Sequence, residues 1–292
     1  MVVDSGNALF RIPGVPDDAA RQRASFILKT MGELGTAVMA AGARDLAAGP
    51  EFLQKEAAAA HVKVLSANLA LPDGGMAFAP STVVRAGGVR FGLVGVTSPL
   101  VSGARPPVPA ALAEAQRLRG RADVVVALAA VGFADAHELA VAGKGAFDFI
   151  LQSSDARVGA MAQKEGAAYV IPSGERGRQM NRLTLRWAGK KGFADMSEVE
   201  RNRQTLKQLD VQIAEVHRRL SAEPDGGPNG GPLRQTLATF EQRRREVAAS
   251  VSAGEKAASQ GFTLEVVNLD GSIREDPALQ AEVARIEPVA PH

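Results

Sequence analysis

Short apolar runs rich in β-branched residues recur through the first two thirds of the chain, at residues 37–40, 62–67, 83–84, 89–96, 124–128, 147–151 and 168–171. Segments of helical length and pattern separate them, among them residues 18–34 and 49–60. Runs this short and this continuously apolar are strands buried in a sheet, and their alternation with helices predicts an α/β architecture around a core sheet. The opening Met1-Val2-Val3-Asp4-Ser5-Gly6-Asn7 reads the same way, as a buried strand that breaks into a polar turn and delivers residues to a site. A parallel strand rarely begins a domain at its first residue.

A chain of 292 residues with 46% hydrophobic content can bury a core of one or two domains. Its formal charge of +2 gives no field that argues for nucleic acid or a membrane surface. With no cysteine, disulfides, thiolate metal sites and cysteine nucleophiles are excluded, and either redox compartment is compatible. No stretch approaches the roughly 18 apolar residues of a membrane span, and the first residues carry no basic-then-apolar signal pattern.

After Leu183-Thr184-Leu185-Arg186-Trp187 the composition changes to charge-rich helix, which places a boundary near Gly192. Val199, Asn202, Leu206, Leu209, Ile213, Val216 and Leu220 alternate spacings of three and four, the seam of a coiled coil. A Gly/Pro-rich loop at residues 223–232 breaks it, and a second seam follows at Leu233, Leu237, Phe240, Arg244, Val247 and Val251. Folding about the loop pairs Leu220 with Leu233, Ile213 with Phe240 and Leu206 with Val247, an antiparallel helical hairpin over residues 195–258. Each arm would reach nearly 40 Å at about 1.5 Å per residue, so its outer end is expected in solvent. Asn202 and Arg244 in the seam fix register, snorkel to water or make functional contacts. Residues 262–267 then alternate as a strand, and Asp276-Pro277 opens a last helix, so residues 259–292 are expected to return to the α/β domain of residues 1–190.

The order of local signals resembles the 5′-nucleotidase-type (calcineurin-like) metallophosphoesterases over residues 1 to about 187. The matching blocks are Asp4-Ser5-Gly6-Asn7, Gly35-Thr36-Ala37-Val38 leading to Gly42-Ala43-Arg44-Asp45, Val64-Leu65-Ser66-Ala67-Asn68-Leu69, and Gly88-Val89-Arg90-Phe91-Gly92-Leu93-Val94-Gly95-Val96-Thr97-Ser98-Pro99. Further matches are residues 123–132 with His137-Glu138-Leu139-Ala140, Phe149-Ile150-Leu151, and Pro172-Ser173-Gly174-Glu175-Arg176-Gly177 before Asn181-Arg182-Leu183. The resemblance implies a β-sandwich flanked by helices. It also implies an ancestral hydrolase that activates water between two divalent ions about 4 Å apart, held by Asp, His and Asn.

Position by position, that ligand set is not met. The family's first Asp-x-His strand has no counterpart. Its bridging carboxylate falls at Asn7, its Asn ligand at Ala43 and its catalytic His at Arg44, while the acidic position survives as Asp45. The remaining His positions read Ala130, Ser154 and Ala156. His61, His137, His217 and His292 lie elsewhere, as relocated ligands or as ordinary hydrogen-bonded residues. Asp4, Asp45 and Asp155 could at most hold a weakly bound hard cation such as Mg²⁺. Arg44, Arg176 and Arg178 are candidates for an anion pocket where the metals once bound phosphate, or are scattered surface residues.

The resemblance therefore implies a degenerate member without a metal cofactor, a binding or assembly module acting through the hairpin at residues 196–258. A multihaem cytochrome on another chain is among the partners it implies, and a periplasmic or extracellular location follows from the same source. The alternative is a phosphoesterase working with a non-standard site. The natural product is expected to be longer, with a further strand and a signal peptide encoded upstream of Met1.

Overall fold

The computed structural model describes residues 1–11, 15–153, 161–174, 177–222, 230–257 and 260–286. By contacts the chain divides into two units, Met1–Arg182 with Val266–His292, and Leu183–Glu265.

In the first unit, β1 (Val2–Asp4), α1 (Asp18–Glu33), β2 (Thr36–Ala40), α2 (Pro50–Ala59) and β3 (Lys63–Leu65) form a parallel sheet of order β1-β2-β3 with its helices. The start of α1 is set by Asp17, whose side chain accepts from the Ala20 N–H at 2.7 Å, the usual satisfaction of an orphan helix donor. Pro50 opens α2, where a missing N–H costs nothing. Ala24 and Leu28 of α1, and Leu53 and Ala57 of α2, are buried against Met39 and Val64 of the sheet.

A second sheet follows from β4 (Ser81–Ala86), β5 (Val89–Thr97), β6 (Val124–Ala130), β7 (Phe149–Gln152), β8 (Gln163–Glu165) and β9 (Ala168–Pro172), in the order β4-β5-β6-β7-β9-β8. Its strands β5, β6, β7 and β9 are parallel, and β4 and β8 close its edges antiparallel. All seven residues of β6 are buried, as expected of a strand covered on both faces. Helices α3 (Pro107–Leu118) and α4 (Phe133–Ala142) cover one face, burying Ala111, Ala115, Leu118, Ala136 and Leu139. On the other face β5 and β6 meet β2 and β3. The result is a four-layer sandwich of helices, sheet, sheet and helices. The two sheets approach so closely that a Cβ on Gly95 would lie 2.2 Å from the Leu65 carbonyl oxygen, so only glycine fits there. The last helix of this unit, α7 (Pro277–Ile286), meets α1 through an ion pair between Lys29 and Glu282 at 3.2 Å.

The second unit carries α5 (Ser197–Ala222), α6 (Gly230–Ala257) and the strand β11 (Ala194–Asp195). It also contains the later part of β10 (Gln179–Arg186) and the earlier part of β12 (Gly261–Asn268), in a sheet of order β10-β12-β11. Asp195 caps α5 by accepting from the Ser197 N–H at 2.8 Å, and the Ser197 hydroxyl accepts from Leu264 N at 2.9 Å. The two helices run antiparallel, since Asn202 donates to the Ser250 hydroxyl at 3.1 Å, Arg244 to Asp210 at 2.5 Å, and Arg203 pairs with Glu255. Val199, Leu209, Val216, Val247 and Val251 are buried between them, and a Cβ on Gly254 would lie 2.4 Å from Val199. The buried Gln260 side chain donates to the carbonyls of Lys190 and Gly192 and accepts from the N–H groups of Ala188 and Lys190, fixing the loop before β11.

Candidate functional site

Strands β1, β2, β6 and β7 are parallel, and their carboxyl ends are where a parallel sheet gathers functional loops. The chain turns sharply after β1, with Gly6 at φ 91° and Asn7 at φ 68°. Gly6 is required, because a Cβ there would come within 2.8 Å of the Ala40 carbonyl and 3.1 Å of Ala130. Asn7 is among the few side chains that tolerate the left-handed region. Gly42, after β2, faces this turn so closely that its Cβ would lie 2.5 Å from Asn7 N.

Asp45 organises the meeting of these loops. It is fully buried, and its two oxygens accept from Asn7 N at 2.7 Å, Ala8 N at 2.8 Å, Leu9 N at 3.1 Å and Gly42 N at 2.9 Å. Burial pushes its carboxyl up to about 6, against the N–H groups of Asn7, Gly42 and Leu9, which lower it. Asp4 accepts from Gly6 N at 2.7 Å, and burial raises its carboxyl above the ordinary range. The Asn7 side chain bridges outward. Its Oδ1 accepts from Arg44 N at 3.1 Å, and its Nδ2 donates to Ser153 O and Oγ, both at 3.3 Å. Ser153, just past β7, donates its hydroxyl to Ser5 O at 2.6 Å.

A buried network lies where β2, β3 and β5 end. The Ser66 and Thr97 hydroxyls share a hydrogen bond at 2.7 Å, and Thr97 Oγ1 donates to Ala41 O at 2.8 Å. Asn68 donates to Thr97 O and Arg105 O and accepts from Thr97 N, all between 2.8 and 2.9 Å. Ser66, Asn68 and Thr97 are completely buried with their polar groups paired, so their blocks in the sequence serve to hold strand ends together.

Of the residues picked from the sequence, Asp4, Asn7, Arg44 and Asp45 meet at these strand ends. Arg44 does so through its backbone N–H, and its side chain is exposed. Ser154, Asp155 and Arg176 lie outside the described residues. Arg178 is exposed just before β10, and its carbonyl accepts from Leu269 N at 2.7 Å. His137 on α4 pairs with Glu165 at 3.1 Å and stacks on Phe133, while His61 precedes β3, at the opposite end of that strand from the site. His217 is exposed on α5, and His292 lies outside the described residues. Ser5 and Ser153 lie within or beside the matched blocks without standing out there as site residues, because a loop serine carries no charge or ligand pattern that would mark its role.

Among the described residues, the donor set does not fit a two-ion centre. Both oxygens of Asp45 are taken by backbone N–H groups, the Asn7 amide is engaged on both its atoms, and Ala43 and Ala130 offer no donor. Among the described residues, no group of three or more His, Asp or Glu could hold a metal ion. Of the three acids expected to hold at most a weak cation, Asp45 is engaged by four backbone N–H groups, Asp4 accepts from Gly6 N, and Asp155 lies outside the described residues.

No family model and no curated protein matches the chain. Among solved structures, the Thermus thermophilus sulfate thiohydrolase SoxB superposes with a TM-score of 0.55 at 19% identity over 65% of this chain. The calcineurin-like phosphoesterase YfkN of Bacillus subtilis superposes at 0.53 and 18% identity over 64% of it. The chain has the fold of the calcineurin-like phosphoesterases. It spans 36% of the SoxB chain and 71% of the YfkN chain. No helix among the described residues is long and apolar enough to cross a membrane.

Proposed function

We propose that this protein is a non-catalytic relative of the metallophosphoesterases, a binding or assembly module that engages a protein partner through the helices of residues 196–258. The observation that supports this is the state of the strand-end site. Asp45 and Asn7 stand where the resemblance puts the surviving acid and the bridging ligand, and their polar atoms are spent on the chain's own N–H groups and on Ser153. A multihaem cytochrome on another chain and a location outside the cytoplasm belong to the same reading, and both rest on the family resemblance alone.

A second reading, phosphoester hydrolysis through a non-standard site, draws on the shared fold with YfkN. Turnover separates the two. Purified protein supplied in turn with Mg²⁺, Mn²⁺, Co²⁺ and Zn²⁺ is expected to hydrolyse neither nucleoside monophosphates nor p-nitrophenyl phosphate above the buffer rate. Metal-dependent turnover that Asp4→Ala abolishes would establish the hydrolase reading instead.

A further inference from the structure

Three loops end at one point in the first unit, those after β1, β2 and β7, and a single side chain joins them. Asn7 belongs to the first loop, takes the Arg44 N–H from the second on Oδ1, and gives Nδ2 to the carbonyl and hydroxyl of Ser153 in the third. Ser153 returns the connection by donating to Ser5 O. Glycine at position 42 makes room for this side chain, since a Cβ there would lie 2.6 Å from Asn7 Oδ1.

From this geometry we infer that Asn7 is the keystone of a metal-independent brace, and that the neutral amide is what position 7 requires. The inference rests on the non-catalytic reading of the site. Aspartate has nearly the same shape as asparagine and also tolerates the left-handed backbone. It would nevertheless replace the Nδ2 donor with an oxygen facing the Ser153 carbonyl, where asparagine's nitrogen now sits at 3.3 Å. The Ser153 hydroxyl could turn to satisfy that oxygen only by giving up its 2.6 Å bond to Ser5. The new charge would also join the carboxylates of Asp4 and Asp45, which already interact with each other. The new carboxylate would then face the Ser153 carbonyl with no donor between them and would bring a third acid to the site.

Two variants of the full chain test this, with thermal melts followed by circular dichroism in EDTA and again in MnCl₂. Asn7→Asp is expected to lower Tm by about 4–8 °C in EDTA, a measurable shift for a domain of this size. Asn7→Gly keeps the left-handed turn at no steric cost and removes only the side chain, so it too is expected to melt lower than the natural chain. If Asn7→Gly is as stable as the natural chain, position 7 serves the backbone alone and the brace is wrong. If Asn7→Asp is as stable in EDTA, the neutral amide is not required and the inference fails. Should Asn7→Asp not fold, the Asn7→Gly melt decides. Stabilisation of the unaltered chain by Mn²⁺ would instead overturn the non-catalytic reading, an outcome separate from either variant's melt in EDTA.

Discussion

Replacing Asp45 with asparagine isolates the group that holds the strand-end loops together. Asp45 is fully buried, with Asn7 N and Gly42 N on one carboxylate oxygen and Ala8 N and Leu9 N on the other. An asparagine amide keeps one oxygen, so whichever way it is turned, its NH₂ faces two backbone donors. Leaving a buried donor unpaired costs about 1–3 kcal/mol, so two cost about 2–6 kcal/mol, a large share of a whole-domain stability of about 5–15 kcal/mol. With a urea m-value of about 1–3 kcal/mol per M, the unfolding midpoint of Asp45→Asn should fall by roughly 1–3 M at unchanged slope. Urea titration followed by far-ultraviolet circular dichroism reads this directly. An unfolding midpoint indistinguishable from that of the natural chain would refute the reasoning, because the four N–H groups would then not depend on this carboxylate.

Acidity offers a related test on the same pair of proteins. Burial holds the folded-state carboxyl of Asp45 near 6, above its ordinary 3.8, so it favours the folded chain below about pH 4 and that contribution is lost as the pH rises through about 6. The stability deficit of Asp45→Asn should therefore be larger at pH 4 than at pH 7, and the reverse order would contradict the assignment. Gly95→Ala places a methyl 2.2 Å from the Leu65 carbonyl and 2.5 Å from its Cβ, and it should give little soluble protein or a melt lowered by 10 °C or more, at roughly 2–4 °C per kcal/mol. Deleting residues 197–257 and joining the flanks by a short turn should leave cooperative unfolding of the remainder, observed by calorimetry. A broad, non-cooperative transition would mean that the helices belong to the core.

The layers of the fold were legible in the apolar runs because burial from both sides writes itself into sequence as continuous hydrophobicity, as in β6. Strands whose identity comes from a neighbour left no such mark. The polar Gln163-Lys164-Glu165 of β8 is a strand because it pairs with β9, and the two residues of β11 because they pair with β12. The helical character of α5 and α6 was legible in the three-and-four spacing, and the seam residues Asn202 and Arg244 bond to Ser250 and Asp210. At the site, the sequence singled out Asp4, Asn7 and Asp45, which do converge. What it could not carry was the manner of their use. Asn7 and Ser153 are 146 residues apart, and Arg44 contributes an N–H that every residue but proline possesses.

Metal content is the most direct test of whether this site has lost its two-ion chemistry. The purified chain would be incubated with excess MnCl₂ and ZnCl₂, exchanged into metal-free buffer and analysed by inductively coupled plasma mass spectrometry alongside its protein concentration. With Asp45 and Asn7 committed to the chain's own hydrogen bonds, the expected result is far less than one ion per chain. About two tightly held ions per chain, the complement of a two-metal hydrolase, would contradict the account.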